Sequence, residues 1–298
     1  MTTIAIIGLG RVGTALAVLV GRHALGNLRV CDHNLNKIDS LKALLATPVT
    51  VCSTPAEAVA GAELVFLAVQ DRHLAGLAEN LAESLAGSGR ADLKGCFFAH
   101  LSGALTSEVL RPLAARAAVT FSLHPLQSVA AAANGAEALA GSYFTFEGDE
   151  RGLVVASDLV KVFGGHLVRL AAADKVLYHA AAVVSSNFFI ALEEMAITLM
   201  TGIGVDAETA RQMLLPLIRG SFDNLERVSP AEALTGPIVR GDDQTVAAHL
   251  AAIKKKFPEY VVSYRLLAGL NLDLAMQKGG VTPADFPSLK SPIVEIKP

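Results

Sequence analysis

Three glycines near the start of the chain have the spacing of a phosphate-binding turn. Gly8, Gly10 and Gly13 follow an apolar run at 4–7 and lead into a segment of helical length that begins at Thr14. The first glycine permits a tight turn out of a strand, the second lets a diphosphate approach the backbone, and the third lets strand and helix pack closely. The N–H groups that open the helix would face the phosphates. The pattern predicts a dinucleotide site.

An acidic residue stands where such a site needs one. Asp32 ends a strand-like run at 28–31, about twenty residues beyond the glycines. A carboxylate there can accept hydrogen bonds from ribose hydroxyls and repels a 2′-phosphate, which slightly favours NAD over NADP. His33, Asn34 and Lys37 are near enough to leave that choice open. The predicted cofactor-binding residues are Gly8, Leu9, Gly10, Arg11, Val12, Gly13, Asp32, Val69 and Gln70.

Polar side chains also follow other strand-like runs. In a doubly wound sheet, ligands bind outside the carboxyl ends of the strands. Ser102 follows the run that ends at His100, and His124 ends another run just before Pro125. We expect Ser102 to bind substrate and His124 to border the nicotinamide. A buried structural role is the alternative for His100.

A long helical segment at 175–201 carries the strongest candidates for catalysis. Lys175 and His179 are four residues apart and share a helix face, and Asn187 lies two turns further along. Reduction of a carbonyl group needs a donor that polarises the oxygen and then supplies a proton, and a lysine or histidine can do both. Asn187 would orient the substrate. A solvated helix start is the alternative explanation for Lys175.

Arg240 lies in a glycine- and proline-rich turn before a third helical segment. A guanidinium held there could bind a substrate carboxylate through two hydrogen bonds. A surface salt bridge would explain it equally well. The predicted partner is therefore a small-molecule carboxylate.

Composition narrows the classes of function. With 52% hydrophobic residues, 298 residues and a net charge of −3, the chain can bury sizeable cores, and the lack of a long basic stretch argues against nucleic acid as the main partner. Three widely spaced cysteines are typical of reduced thiols in a cytoplasmic protein and indicate no metal site. The apolar segment at 176–200 contains serines, an asparagine and two glutamates, which favours a buried helix over a membrane span.

The order of the segments predicts the fold. Strand-like and helical runs alternate through the first half, which is typical of a mostly parallel sheet covered on both faces. After residue 172 only helical patterns remain. We predict an α/β chain with a doubly wound Rossmann domain at 1–172, followed by an all-helical substrate-binding and dimerisation domain at 173–298.

Four motifs support a family resemblance that covers nearly the whole chain. They are His100-Leu-Ser-Gly103, His124-Pro-Leu-Gln127, the helix from Tyr178 to Asn187, and Leu234-Thr-Gly-Pro-Ile-Val-Arg-Gly-Asp242. Together they resemble the 6-phosphogluconate-dehydrogenase-like oxidoreductase superfamily. Within it, they are most similar to a bacterial family with a Rossmann-like domain and a C-terminal domain of unknown function, related to ketopantoate reductases.

The resemblance implies several properties. Many members of the superfamily carry a catalytic lysine followed four residues later by asparagine; Lys175 matches the lysine, and His179 stands in the asparagine position. The His-Pro pair at a strand end is similar to that of prephenate dehydrogenases. The helical domains of such proteins commonly pair, which implies a homodimer.

The combined prediction is a cytoplasmic NAD(P)-dependent oxidoreductase that reduces a small 2-oxo acid, with ketopantoate as the leading candidate. Three alternatives stay open: a sensor that binds NAD(P) without turnover, an imine reductase of the pyrroline-carboxylate type, and a prephenate-dehydrogenase-like enzyme.

Overall fold

The computed structural model describes residues 2–89 and 92–289. Its first part contains one eight-stranded sheet. The strands are β1 (Thr3–Ile7), β2 (Asn27–Cys31), β3 (Thr50–Val51), β4 (Leu64–Leu67), β5 (Phe97–His100), β6 (Val119–Pro125), β7 (Tyr143–Gly148) and β8 (His166–Arg169). Their order is β3-β2-β1-β4-β5-β6-β7-β8, and only the β6–β7 pair is antiparallel among the described strands. The predicted doubly wound, mostly parallel sheet is confirmed.

Helices cover both faces of this sheet. They are α1 (Arg11–Arg22), α2 (Leu35–Leu44), α3 (Pro55–Val59), α4 (Asp71–Gly87), α5 (Arg111–Ala114), α6 (Gly135–Leu139), α7 (Leu153–Val162) and α8 (Lys175–Val183). Strand side chains alternate between two cores, as the pleat requires. In β1, Ile4 and Ile6 pack into one core, whereas Ala5 and Ile7 pack into the other. The apolar runs therefore reflect a sheet that is buried on both sides.

The remaining described residues are helical. The helices are α9 (Phe189–Thr201), α10 (Ala207–Leu225), α11 (Pro230–Ala233), α12 (Asp243–Lys256) and α13 (Val261–Lys278). A small core of their own includes Val246, Leu272 and Phe286. Asp242 caps α12 by accepting a hydrogen bond from the Thr245 N–H. The predicted helical second half is confirmed as far as residue 289, and residues 290–298 lie outside the described part.

The long helix differs from its prediction in two respects. A π-helical turn, Val184–Phe188, separates α8 from α9 and contains Asn187. The helix is also not buried within this chain, because Leu177 is 75% exposed and Ile190 is 64% exposed. The run Ala172–Thr201 is long and apolar enough to cross a membrane by length and composition. The prediction of a buried helix was wrong because composition shows that a face is apolar, but not what covers it.

The chain divides into two compact units, Met1–Ser186 and Asn187–Pro298. This division falls 14 residues after the boundary predicted at 172. Strand signals do end near residue 172, but the start of α8 still contacts the sheet, because the buried Lys175 side chain is bound to Ser102, just after β5, and to Ser122 within β6.

Candidate active site

The glycine turn is shaped by backbone contacts. Gly8 has a φ of +97°, and a Cβ there would lie 2.6 Å from the Ala68 carbonyl oxygen. A Cβ at Gly13 would lie 2.1 Å from the Gly8 carbonyl oxygen. In contrast, a Cβ at Gly10 would meet nothing within 4 Å. Gly8 and Gly13 are thus required by packing, whereas the space beside Gly10 is open to a ligand.

The start of α1 is suited to an anion. Gly10 is the N-cap residue and offers no side-chain acceptor, and the first turn contains no acidic residue. The first N–H groups of a helix have no partners within the helix, and the helix dipole is positive at this end. The predicted contacts Arg11 and Val12 form this first turn. A diphosphate beside Gly10 would be met by their N–H groups.

A cavity of about 690 Å³ lies at this edge of the sheet. Five of the predicted cofactor-binding residues line it, namely Gly8, Gly10, Asp32, Val69 and Gln70. His33, Lys37 and Ser53 line it as well, and so do Arg72 and His73 at the start of α4. Leu9 and Gly13 are buried beneath the turn. The cavity therefore joins the glycine turn to the ends of β2 and β4.

Asp32 holds the turn together rather than projecting into the cavity. Its Oδ2 accepts the Leu9 N–H at 2.6 Å and its Oδ1 accepts the Asn34 N–H at 2.8 Å. The Lys37 Nζ is 3.4 Å from Oδ2, and the Asp32 side chain is only 3% exposed. Burial disfavours the charged carboxylate, but these hydrogen bonds and the lysine outweigh it, so the pKa of Asp32 lies below its usual value. Asp32 is ionised and already has partners.

Lys175 lies in a second polar cluster, at the ends of β5 and β6. It is 1% exposed, and its Nζ donates to the Ser122 Oγ at 2.6 Å and to the Ser102 carbonyl oxygen at 3.2 Å. Burial lowers the pKa of Lys175, although the negative charges of Glu147 and Asp71 act against this. The alternative of a solvated helix start is therefore wrong.

Two carboxylates flank this lysine without touching it. Asp71 accepts the Ser102 hydroxyl at 2.7 Å, and Glu147 accepts both the N–H and the hydroxyl of Ser107. The Ser102 Oγ also accepts the N–H groups of Ala104 and Leu105, so its hydrogen-bonding capacity is filled by the chain. A substrate contact for Ser102 stays a prediction. Glu147 interrupts an apolar strand, a signal that could have been noticed in the sequence.

His100 forms part of the framework of this cluster. It is fully buried, its Nδ1 accepts the Ser102 N–H at 3.1 Å, and its Nε2 lies 3.2 Å from the Thr106 carbonyl oxygen. This pattern requires a neutral ring with its proton on Nε2. Burial, reinforced by the charge of Lys175, lowers the pKa of His100 to about 3. The structural role is the one that its contacts support.

The rings of His124, Tyr178 and His179 lie close together beside Gly103. The His124 Nδ1 is 2.8 Å from the Tyr178 hydroxyl, and the His124 and His179 rings are perpendicular with centroids 5.9 Å apart. A Cβ at Gly103 would lie 2.6 Å from the His179 Nδ1. Burial, His179 and Lys175 together lower the pKa of His124 to about 4. Sequence reasoning missed Tyr178, although it lies one helical turn beyond Lys175.

Asn187 and Arg240 belong to the second unit. Asn187 is exposed in the π-helical turn, and Arg240 is exposed in the turn that precedes α12. Their roles in orienting a substrate and binding its carboxylate stay predictions.

The fold and these motifs define a Rossmann-like chain with a helical second half, and comparison with known proteins finds a matching domain model for each half. Residues 2–125 match the model of the Rossmann-like domain, and residues 142–270 match a domain of unknown function, DUF2520. Each half of the chain thus matches one domain model, in the order that the resemblance in sequence indicated. No curated protein matches the sequence.

Solved structures share the fold over nearly the whole chain. Protein TM1727 from Thermotoga maritima is 24% identical with a TM-score of 0.70, over 92% of this chain and 99% of that one. BF3122 from Bacteroides fragilis is 19% identical with a TM-score of 0.72, over 91% and 98%. A reductive aminase from Aspergillus terreus is 19% identical with a TM-score of 0.62, over 94% and 95%. At these identities the likeness shows the fold.

Proposed function

We propose that this chain is an NAD(P)-dependent oxidoreductase that reduces a C=O or C=N bond of a small molecule. The observation that carries the proposal is the glycine turn, which leaves open space beside Gly10 at an uncapped helix start and adjoins a 690 Å³ cavity. Similar folds support it, since BF3122 is described as an NADP oxidoreductase and the Aspergillus terreus aminase is in complex with NADPH.

The residues present fit a dinucleotide. The backbone of Gly10 and the first turn of α1 would hold the diphosphate, and Val69 and Gln70 would border the cofactor where it passes the end of β4. When bound, the dinucleotide supplies the hydride for the reduction. Everything else that the reaction needs, including a proton and the orientation of the substrate, must come from side chains of the protein.

The same geometry favours NADP over NAD, contrary to the preference predicted from Asp32. That preference requires a carboxylate that is free to accept ribose hydroxyls, whereas both Asp32 oxygens are engaged by the chain. His33 is 93% exposed beside it, and the Lys37 ammonium is close by. Both can pair with a 2′-phosphate. A pyrroline carboxylate reductase from Plasmodium falciparum, similar in fold, is described with NADP bound.

Two substrate classes follow from the proposal. The sequence favours a 2-oxo acid such as ketopantoate, whose carboxylate Arg240 would bind. Proteins of similar fold favour a C=N bond, because they include imine reductases from Pseudomonas sp. and Streptomyces aurantiacus and a pyrroline-5-carboxylate reductase from Coxiella burnetii. Both classes need hydride delivery to carbon and a proton for the neighbouring oxygen or nitrogen.

One experiment separates these outcomes. Purified protein is titrated with NADPH and with NADH by cofactor fluorescence, and then assayed for NADPH oxidation with ketopantoate, other small 2-oxo acids, pyrroline-5-carboxylate and other cyclic imines. We expect NADPH to bind more tightly and one substrate class to be reduced. If neither NADPH nor NADH binds, the proposal is refuted. Binding without turnover on the whole panel would favour a sensor.

We also propose that the protein is a homodimer through its helical half, in the cytoplasm. Large apolar side chains lie exposed there, including Ile190, Ile203 and Leu217, and exposed apolar patches of this kind mark interaction surfaces. Sedimentation of the wild type and of Ile190→Glu tests the dimer. We expect a dimer that the charged substitution weakens, and a wild-type monomer would refute it.

A further inference from the structure

Lys175 is too deeply buried to contact a substrate directly. Its side chain is 1% exposed, and its Nζ is bound to the Ser122 hydroxyl and to the Ser102 carbonyl oxygen. A substrate atom could reach the ammonium only by displacing one of these partners. The proton donor of the proposed reduction should therefore be sought nearer the surface of the same cluster.

Tyr178 is such a group. It lies one helical turn beyond Lys175 on α8 and is half-buried. Its hydroxyl is 2.8 Å from the His124 Nδ1, and the two rings meet edge to face with centroids 5.7 Å apart. Burial raises the pKa of Tyr178 above its usual value, so the phenol keeps its proton at neutral pH.

His124 connects Tyr178 to the rest of the cluster. Its other side faces Gly103, where a Cβ would lie 2.9 Å from its Nε2 and 2.6 Å from the Nδ1 of His179. That His179 nitrogen is buried and has no hydrogen-bond partner among the described residues. The absence of a side chain at Gly103 therefore lets both rings approach its backbone closely. The other titratable groups around His124 are Lys175 and His100, with Asp71 and Glu147 behind them.

We propose that Tyr178 is the proton donor of the reduction, that His124 returns the proton to it, and that Lys175 is a positioning residue beneath the pair. This inference rests on the proposed oxidoreductase function and concerns the same site. It differs from the prediction made from sequence, in which Lys175 or His179 protonates the substrate.

The step balances with one hydride and one proton. As the substrate carbon gains a hydride, the neighbouring oxygen or nitrogen takes the proton of the Tyr178 hydroxyl, whose O–H bond breaks and leaves its electron pair on the phenolate. The Nδ1–H of His124 then returns a proton to the phenolate, while the Nε2 takes one from solvent. The histidine begins and ends neutral, which is consistent with its low pKa. It passes from the Nδ1–H to the Nε2–H tautomer, and proton exchange with solvent restores the Nδ1–H form before the next turnover.

Tyr178→Phe tests the proton donor. It removes the hydroxyl and keeps the ring, and Tyr143→Phe is the matched control because Tyr143 is exposed on β7. We expect Tyr178→Phe to lower kcat/KM by about 100-fold, the usual contribution of a general acid, with NADPH affinity unchanged. Tyr143→Phe should stay within about twofold of wild type. An active wild type with an equally active Tyr178→Phe variant would overturn the proposal.

Lys175→Met and Lys175→Arg test the positioning role without any substrate. The His124 ring protons are followed by NMR as a function of pH in both variants. Since the lysine charge helps to lower the pKa of His124, Lys175→Met should raise this pKa by about one unit, and Lys175→Arg should restore it. An unchanged His124 pKa in Lys175→Met would refute the role of Lys175.

The proposed oxidoreductase function and the proposed role of Tyr178 are refuted by different results. If the wild type binds no dinucleotide or reduces nothing on the panel, the proposed function fails and Tyr178 loses its role with it. If the wild type is active and Tyr178→Phe equals it, only the inference fails.

Discussion

The glycine turn and the cluster around Lys175 lie at strand ends of the same sheet, but they are built from different groups. The turn is made of backbone, and it leaves N–H groups and open space beside Gly10 for a ligand from outside. The cluster is made of side chains, and it holds a buried ammonium with partners from the chain itself. Tyr178 and His124, which are half-buried and in contact with each other, belong to the same cluster. The difference agrees with the proposed roles, in which the turn binds the cofactor and the cluster sets the properties of the groups that meet the substrate.

The largest effect is expected from a side chain under the turn. In Gly13→Val, the added Cβ would lie 2.1 Å from the Gly8 carbonyl oxygen, which is backbone and cannot move aside. We expect the free energy of unfolding to fall by about 3 kcal/mol, with loss of NADPH binding. Chemical unfolding and NADPH titration measure the two effects.

Gly10→Ala is the matched control for that substitution. Its Cβ meets nothing within 4 Å, so stability should stay within about 0.5 kcal/mol of wild type. NADPH affinity should still fall by about tenfold, because the methyl group stands where the diphosphate approaches the backbone. Equal stability losses in the two variants would contradict the distinction between packing and ligand space.

The close approach of two imidazoles to Gly103 provides the corresponding test in the cluster. Gly103→Ala places a Cβ 2.6 Å from the His179 Nδ1 and 2.9 Å from the His124 ring, so both imidazoles must shift. We expect a stability loss of about 1–2 kcal/mol and a clear loss of turnover, with NADPH affinity unchanged. Gly76→Ala, on an open face of α4, should be neutral or slightly stabilising. A fully active Gly103→Ala variant would show that the ring arrangement is not needed.

The buried histidines predict a dependence of stability on pH. The pKa of His100 falls from 6.5 to about 3 in the folded state. Between these two pH values His100 is protonated in the unfolded chain and neutral in the folded chain. Stability therefore decreases as the pH falls from 6.5 towards 3. Between pH 7 and pH 5 the loss from one such histidine is about 2 kcal/mol.

Urea unfolding at pH 7 and pH 5 checks this expectation. His100→Gln should reduce the difference in stability between the two pH values, because it removes the buried imidazole. His124 contributes in the same direction, with a folded pKa of about 4. An identical pH dependence in His100→Gln and wild type would mean that His100 takes up its proton as readily in the folded chain.

The smallest effect concerns the choice of cofactor at the turn. Lys37→Met removes the ammonium proposed to pair with a 2′-phosphate, and we expect NADPH affinity to fall by about tenfold and NADH affinity to change little. Lys42→Met, in the same helix and paired only at the surface with Asp39, is the control. Parallel titrations with both cofactors give the ratio, and equal losses for NADPH and NADH would count against phosphate recognition by Lys37.

Much of the turn was predictable because its parts are neighbours in the chain. Gly8, Gly10 and Gly13 lie within six residues and directly follow an apolar run. Their spacing predicts a phosphate-binding turn only if that run is a strand. The partner of Asp32 was not predictable. The same carboxylate could face a ribose or the Leu9 N–H, and the backbone path after β2 decides between them.

The cluster was predictable only in part. Lys175, His179 and His124 stood out as polar residues in apolar surroundings, but their contacts cross long distances in sequence. Ser102 and Ser122 are 73 and 53 residues from the lysine that they hold. The sequence does not single out Tyr178, because only the fold brings its hydroxyl next to His124.

By itself, the sequence determined the alternation of strands and helices, the helical second half and the glycine turn, because each depends on periodicity or on spacing between near neighbours. The tertiary structure alone decided that Lys175 is buried, that Asp32 is turned inward and that the long helix keeps an exposed apolar face. Those three outcomes depend on which surfaces meet, and the order of strands in the sheet, rather than any local pattern, determines which surfaces meet.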